Sequence, residues 1–189
     1  MPSLSASDGL VAIVLAAGLS RRFVGDKLLA PLAGKPLAAH IADTLASMNL
    51  RARLAVCPGR NEERAALFKD RGFEIVWNDA PEEGMGHSLA LAAIRARALA
   101  ADAALVCLGD MPNITVAHLR RLIAAAQAGP VATEVDGVRM PPAIFPRAMF
   151  TDLSALTGDR GARSLLAAAR TVRAEPPLEL DIDTAADFG

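Results

Sequence analysis

The sequence alternates short, mostly apolar runs with longer alanine-rich stretches, and this alternation is the strongest constraint on its fold. Four times before Gly129, an apolar run is followed by a stretch with helical spacing. That order is typical of a parallel sheet covered by helices on both faces. We predict strands over Leu10–Leu15, Leu54–Cys57, Phe73–Trp77 and Ala104–Leu108, and helices over Pro36–Met48, Glu62–Lys69, Ser88–Leu99 and Val116–Ala126. The expected architecture is a three-layer α/β/α fold with a mostly parallel central sheet.

The rhythm changes after Gly129, where the elements become shorter and less regular. Asp136-Gly137 is typical of a tight turn between two strands. We predict a strand over Pro130–Glu134, a short extended piece over Pro142–Phe145, a helix near Ala162–Ala169 and a last strand near Leu178–Ile182.

Composition narrows the classes of function. A length of 189 residues favours one domain. The 20 basic and 21 acidic residues give a net charge of −1, which argues against a nucleic-acid-binding protein. Only three of the basic residues are lysines (Lys27, Lys35 and Lys69), so a lysine in a loop suited to chemistry stands out.

Neither a metal-binding motif nor a membrane segment is evident. Cys57 and Cys107 lie in separate apolar runs, and the three histidines lack metal-ligand spacing, so we expect two buried, reduced thiols. The longest clean apolar run, Leu10 to Ala17, is far shorter than the roughly 20 residues that span a bilayer. Residues Met1 to Asp8 lack the pattern of a signal peptide. We expect a cytoplasmic protein that binds neither membranes nor nucleic acid.

Ligands of such sheets bind where strands end and helices begin, which directs attention to three loops. The loop after the first strand turns through small residues and then becomes basic. Small side chains let backbone N–H groups approach an anion, and Arg22 and Lys27 can neutralise a polyphosphate. A solvated basic loop is the alternative, and neither a Walker A motif nor a Gly-x-Gly-x-x-Gly fingerprint is present here.

The loop after the third strand, Gly84-Met85-Gly86-His87-Ser88-Leu89, opens a helix whose N-terminus can attract an anion or a polar ligand edge. A simple capped helix is the alternative. As a dinucleotide fingerprint the segment fails at Leu89, which leaves an NAD(P)-dependent oxidoreductase as a weak rival. We interpret His87 as a surface or lid residue.

The loop after the fourth strand places the Asp110 carboxylate directly beyond an apolar run. Magnesium prefers hard oxygen ligands and usually takes one or two carboxylates together with substrate phosphates and water. Asp110 is therefore a candidate Mg²⁺ ligand, although a turn or a helix cap would explain it equally well.

Two of these loops together resemble the nucleotidyltransferases with a MobA-like fold, and among them the molybdenum cofactor cytidylyltransferases. Those proteins begin with Leu-Ala-Ala-Gly-x-Ser-x-Arg-Met-Gly and a later lysine, which residues 15–22 and Lys27 match, while Phe23-Val24 replaces Met-Gly. Their Gly-Asp-Met-Pro motif recurs at residues 109–112. The resemblance extends over residues 10–188 and implies a Rossmann-like nucleotidyltransferase fold. Because Ala17 stands where the cytidylyltransferases have alanine and guanylyltransferases have glycine, it also implies CTP.

The resemblance assigns roles to individual residues. It implies nucleotide binding by Leu15, Ala16, Ala17, Gly18, Ser20, Arg22, Lys27, Gly84, Ser88 and Asp110, with Arg22 and Lys27 as the catalytic cations. It implies Mg²⁺ binding by Asp110 and by either Asp181 or Asp183 in the closing Asp-Ile-Asp-Thr segment.

The acceptor region matches less closely. The turn containing Asp159, Arg160 and Arg163 suits an anionic acceptor such as the phosphate of molybdopterin. Relatives have a Gly-x-Pro element near residues 137–142, where Met140 takes the approximate place of the glycine. Acceptor identity therefore stays open.

The expected function is transfer of CMP from CTP to the phosphate of molybdopterin or molybdenum cofactor, with Mg²⁺ as cofactor and a molybdoenzyme as a candidate recipient of the product. Residues 1–189 would form one domain, with a nucleotide-binding half over about 10–110 and an acceptor-binding half over about 111–189. The alternatives are the same reaction on a sugar phosphate or methylerythritol phosphate, an NAD(P)-dependent oxidoreductase, and a non-catalytic, chaperone-like cofactor-binding module.

Overall fold

A computed structural model describes residues 9–19, 23, 25–158 and 162–175. The strands are β1 (Leu10–Leu15), β2 (Pro31–Leu32), β3 (Lys35–Pro36), β4 (Ala52–Pro58), β5 (Glu74–Asn78), β6 (Ala103–Leu108), β7 (Val131–Val135), β8 (Val138–Pro146) and β9 (Arg170–Arg173). The α-helices are α1 (Leu37–Ala46), α2 (Glu62–Lys69), α3 (Met85–Ala98), α4 (Val116–Ala125) and α5 (Phe150–Ser154).

In the described part of the chain, seven strands form one central sheet in the order β5-β4-β1-β6-β8-β7-β9, and β2 and β3 form a separate hairpin. Strands β5, β4, β1 and β6 are mutually parallel, and β9 runs parallel to β7. Among the described strands of this sheet, only β8 runs against its neighbours β6 and β7. The expected mostly parallel sheet is confirmed, with an antiparallel insertion where the sequence rhythm changes.

Helices cover both faces of the sheet. On β1, Ala12 and Val14 face the core cluster that includes residues of α1, α2 and α4, whereas Val11, Ile13 and Leu15 face the cluster that includes residues of α3 and α5. Alternate side chains of a strand point to opposite faces, so a strand covered on both sides must be apolar at every position. The three-layer α/β/α prediction is therefore confirmed.

Several boundaries differ from the sequence-based expectation. Helix α3 begins at Met85, three residues before the predicted start at Ser88. The prediction began too late because glycine, here Gly86, has a low helix propensity. The predicted piece Pro142–Phe145 is part of the nine-residue strand β8, in which prolines obscured the strand pattern.

The predicted helix over Ala162–Ala169 is wrong. These residues form successive turns with mixed hydrogen bonds, such as Leu165 N to Ala162 O (2.9 Å) and Ala169 N to Leu166 O (2.9 Å). An eight-residue helix is marginal on its own, and here the chain must enter β9 immediately afterwards. Strand β9, the β2–β3 hairpin and α5 were not anticipated, and the predicted strand Leu178–Ile182 lies outside the described residues.

Both cysteines are fully buried and free, as expected. Burial raises the pKa of the Cys57 thiol to about 12 and also raises that of Cys107, because a thiolate is poorly solvated in the core. In the part of the chain that the structure describes, no helix combines the length and apolarity that a membrane crossing requires.

His118 is a buried polar residue that joins α4 to the antiparallel part of the sheet. The Thr133 hydroxyl donates to the carbonyl oxygen of Pro142 (2.8 Å), so the Thr133 oxygen must accept from His118 Nε2 (2.8 Å). His118 Nδ1 is then an unprotonated nitrogen, buried without a hydrogen-bond partner among the described residues. Burial, reinforced by the nearby Arg121 guanidinium, lowers the pKa of His118, whereas Glu175 opposes that shift.

We expect His118 to make folding stability depend on pH. The unfolded chain takes up a proton near pH 6.5, whereas the folded chain does so only at lower pH, so stability should fall as the pH drops below about 6.5. In His118→Gln the amide nitrogen can still donate to Thr133 but does not titrate. Urea unfolding at pH 7.5 and pH 5.0 should show a larger loss of stability in the natural protein than in this variant. Equal losses would contradict the assignment.

Candidate active site

The site lies where the central strands β1 and β6 end side by side. Leu15 pairs with Leu108 in the parallel register, and Gly109 N donates to Leu15 O (3.0 Å) just beyond the strands. The loops that follow β1 and β6 therefore start next to each other at the carboxyl edge of the sheet. This is the edge at which ligands of such sheets bind.

An ion pair joins these two loops. Lys27 Nζ lies 2.9 Å from Asp110 Oδ2, although the residues are 83 positions apart. The Lys27 side chain is only 11% exposed and that of Asp110 is 31% exposed, so the carboxylate lies at the boundary with solvent. The structure thus brings together the scarce lysine and the carboxylate that sequence analysis singled out separately.

A short 3₁₀ turn at Lys27–Leu29 presents the lysine. Asp26 caps this turn by accepting a hydrogen bond from Leu28 N through Oδ1 (3.0 Å). Leu28 packs so closely against Gly109 that a Cβ atom there would lie 3.0 Å from Leu28 Cδ1. The glycine before Asp110 therefore allows the two loops to approach.

The first part of the β1 loop is held by Arg64 from α2, a residue that sequence analysis missed. Its Nη1 donates to the carbonyl oxygens of Ala16 and Gly18, the latter at 3.1 Å. Its Nε and Nη2 donate to Asp26 Oδ2 (3.0 Å) and Oδ1 (2.5 Å), and Asn61 Nδ2 also donates to Asp26 Oδ2 (3.1 Å). In the sequence, Arg64 is indistinguishable from a charge on the solvent face of a short helix; its partners are visible only in three dimensions.

The second predicted loop lies at the start of α3. Gly84 precedes the helix with a φ of 90°, a conformation that favours glycine. Ser88 is buried, and its Oγ accepts a hydrogen bond from the buried Asn78 Nδ2 (2.9 Å) at the end of β5. His87 pairs with Glu83 at 3.3 Å at the partly exposed start of the helix.

Gly86 ties this helix start to the segment before the predicted acceptor turn. Its N–H donates to Gly158 O (2.8 Å), and a Cβ atom on Gly86 would lie 2.8 Å from the backbone of Thr157 and Gly158. Arg163 follows that segment and is exposed. The predicted site residues Ser20, Arg22, Asp159, Arg160, Asp181 and Asp183 lie outside the described residues.

The chemistry at Asp110 fits a hard divalent cation. A half-buried carboxylate at a strand end is a suitable oxygen ligand, and Mg²⁺ needs only one or two carboxylates from the protein. Within residues 9–19, 23, 25–158 and 162–175, no three His, Cys, Asp or Glu side chains gather as a metal cluster. A cation at Asp110 would therefore draw further ligands from substrate, water or the rest of the chain.

Comparison with known proteins identifies the family. The model of the MobA-like NTP transferase domain matches residues 12–174, most of the chain. This protein belongs to the MobA-like NTP transferase family. The chain is accordingly a nucleotidyltransferase, and its loop after β1 and its Asp110 lie within the matched domain.

Members of this family similar to the chain differ in their described roles. The purine catabolism protein PucB of Bacillus subtilis is 33% identical over 199 aligned residues, covering 96% of this chain and 95% of that protein. A probable molybdenum cofactor guanylyltransferase of Pyrococcus horikoshii is 34% identical over 108 residues, covering 56% of this chain and 50% of that protein. The similarity to PucB, which extends over nearly the whole of both proteins, supports the family assignment.

A solved structure supports the fold and bears on metal binding. Rv0371c of Mycobacterium tuberculosis, in a complex with manganese, superposes with a TM-score of 0.79 at 25% identity, covering 95% of this chain and 96% of that one. The chain is thus similar in fold to a protein whose solved structure contains a divalent cation.

Proposed function

We propose that the chain transfers CMP from CTP to the terminal phosphate of molybdopterin or molybdenum cofactor, releasing pyrophosphate. The observation that carries this proposal is the Lys27–Asp110 pair, which joins the basic loop after β1 to the carboxylate after β6. Nucleotidyl transfer needs a cationic group and a metal-binding group close together. Here a lysine and a carboxylate that could bind a metal lie side by side at the edge of the sheet where ligands bind.

In the proposed reaction, an oxygen of the acceptor phosphate attacks the α-phosphorus of CTP in line. The new P–O bond forms as the bond between the α-phosphorus and the bridging oxygen breaks, and pyrophosphate leaves with the bonding electrons. Lys27 and Arg22 offset the negative charge that develops on the α-phosphate and the leaving group. No side chain forms a covalent intermediate, so catalysis rests on positioning and electrostatic stabilisation.

Asp110, together with Asp181 or Asp183, would hold Mg²⁺. When bound, the cation supplies positive charge to the phosphate oxygens. Asp110 accepts from Lys27 through one carboxylate oxygen, so the same side chain would fix both the ammonium and the cation. Lys27 would then lie close enough to the substrate phosphates to add its own positive charge.

The remaining predicted residues divide between the two substrates. The backbone of residues 15–18 with Ser20 would contact the phosphates, and Gly84 and Ser88 would contact the base and ribose. Ser88 is buried and accepts from Asn78, so its hydroxyl has a fixed position. Asp159, Arg160 and Arg163 would bind the acceptor phosphate, which gives a nucleotide half over about 10–110 and an acceptor half over about 111–189.

A pyrophosphate-release assay tests the reaction. We expect release with CTP, Mg²⁺ and molybdopterin, and little release when GTP, UTP or ATP replaces CTP. Sugar phosphates and methylerythritol phosphate serve as competing acceptors. Turnover of a sugar phosphate or methylerythritol phosphate in place of molybdopterin would overturn the molybdopterin assignment. In a separate thermal-unfolding measurement, protection by NADH but not by CTP with Mg²⁺ would overturn the transferase proposal itself.

Lys27→Ala should slow turnover strongly. Loss of the ammonium removes on the order of 2–4 kcal/mol of transition-state stabilisation, or roughly 30- to 1,000-fold in kcat. Lys35→Ala is a matched control, because Lys35 pairs with Asp43 in an exposed ion pair on the neighbouring segment. Pyrophosphate release under saturating CTP should distinguish the two variants. Similar rates for Lys27→Ala and Lys35→Ala would refute the catalytic role.

Ala17→Gly should shift the enzyme from CTP towards GTP. Ala17 is buried in the loop after β1, and the family resemblance associates an alanine at this position with cytidine nucleotides and a glycine with guanosine nucleotides. A single methyl group in a binding pocket changes discrimination by about 1–3 kcal/mol, or about 10- to 200-fold. The measurement is the ratio of kcat/KM for CTP to kcat/KM for GTP. An unchanged ratio would remove Ala17 from the specificity assignment.

A further inference from the structure

Arg64 makes more contacts with the loop after β1 than a buried cation needs for its own neutralisation. The residue is only 3% exposed, and all three of its guanidinium nitrogens donate hydrogen bonds. Burial of a charge is costly unless it is paired and hydrogen-bonded, and Asp26 supplies a bidentate partner. The contacts to two loop carbonyls come in addition to that pair.

The two carbonyl contacts fix the direction of two neighbouring N–H groups. In a trans peptide the C=O and the following N–H point in opposite directions. Because the carbonyls of Ala16 and Gly18 point at Arg64, the N–H groups of Ala17 and Leu19 point away from it. Neither N–H has a hydrogen-bond partner within the described part of the chain.

Unpaired N–H groups of buried residues are rare in folded proteins, and Ala17 is only 3% exposed. Neighbouring N–H groups that share one direction form a concave site for an anion. The loop therefore has the polarity of a phosphate site. The two N–H donors lie on one side of it, and the Arg64 guanidinium that orients them lies on the other.

We infer that Arg64 is a positioning residue for the nucleoside triphosphate. It orients the N–H groups of Ala17 and Leu19 towards the phosphates and does not itself contact the phosphates. The inference rests on the proposed function in that it assigns the anion at this site to the substrate. The charge of Arg64 is neutralised by Asp26, so its role is geometric rather than a direct attraction of phosphate.

The same guanidinium also links the N–H donors to the catalytic lysine. Asp26, which Arg64 holds through both carboxylate oxygens, caps the turn that begins at Lys27. Arg64 thus sets the distance between the start of the loop and the lysine at its end. Its removal should displace both groups that contact the phosphates.

The test compares Arg64→Gln and Arg64→Lys with the matched control Arg71→Gln. Arg71 follows the same helix, and its guanidinium likewise donates to a carboxylate, Asp43 Oδ1 (2.6 Å), and to a carbonyl, Leu67 O (2.8 Å). Isothermal titration with inorganic triphosphate measures the anion site without base or acceptor. Steady-state kinetics measures KM separately for CTP and for the acceptor at saturating CTP.

We expect Arg64→Gln to weaken triphosphate binding and to raise KM for CTP by on the order of 100-fold, because a small misplacement of binding groups has effects of that size. The acceptor KM should stay within about threefold of the natural protein, since a loss confined to one substrate moves only that KM. Arg64→Lys keeps the charge but cannot form the planar fork, so it should show a smaller loss of the same kind. Arg71→Gln should bind triphosphate as the natural protein does.

Unchanged triphosphate binding in Arg64→Gln, or equal losses in Arg64→Gln and Arg71→Gln, would overturn the inference. So would parallel rises in both KM values, which indicate general loosening of the fold. If circular dichroism shows Arg64→Gln to be unfolded, Arg64→Lys decides, and natural affinity in that variant overturns the inference. Failure of the natural protein to bind triphosphate overturns it too, whereas triphosphate binding without pyrophosphate release on any acceptor overturns only the proposed reaction.

Discussion

The central strand β1 is the constraint on which the rest of the structure depends. All six of its residues are buried, and it pairs in parallel with β4 on one side and β6 on the other. Parallel pairing places the carboxyl ends of all three strands at one edge, so the loops that follow them must meet there. The meeting of Lys27 with Asp110, and of Arg64 with the loop after β1, follows from this register rather than from any local sequence signal.

The charges at that edge are arranged in pairs that differ in exposure. The Arg64 side chain is buried and pairs with Asp26, whose side chain is 20% exposed; their charges largely cancel, and their hydrogen bonds fix the backbone. In the second pair Lys27 is also largely buried, whereas the Asp110 carboxylate is about one-third exposed, so a polyphosphate or a cation can reach it from solvent. The near-neutral net charge of the chain argues against a nucleic-acid surface, but it is compatible with a phosphate site built from local charge pairs.

The sequence was informative where one physical effect dominates. Leu10–Leu15 and Glu62–Lys69 were predicted to the residue, because an uninterrupted apolar run and a capped helix each leave a local signal. Lys27 and Asp110 were found because both follow buried strands. Arg64 was missed because its role depends on a fold that brings α2 against the loop after β1. Residues 162–169 were misjudged because alanine content predicts a helix, whereas the chain's entry into β9 determines their path.

The proposed nucleotide and acceptor halves share one central sheet. Strand β8, from the proposed acceptor half, pairs with β6, from the proposed nucleotide half, along Ala103–Val106. The start of α3 donates from Gly86 to Gly158, and even one methyl group on Gly86 would collide with that backbone. Because this contact is close-packed, displacement of one segment would strain the other. A nucleotide bound at the α3 N-terminus, as proposed, would therefore also restrain the segment that leads to the proposed acceptor turn.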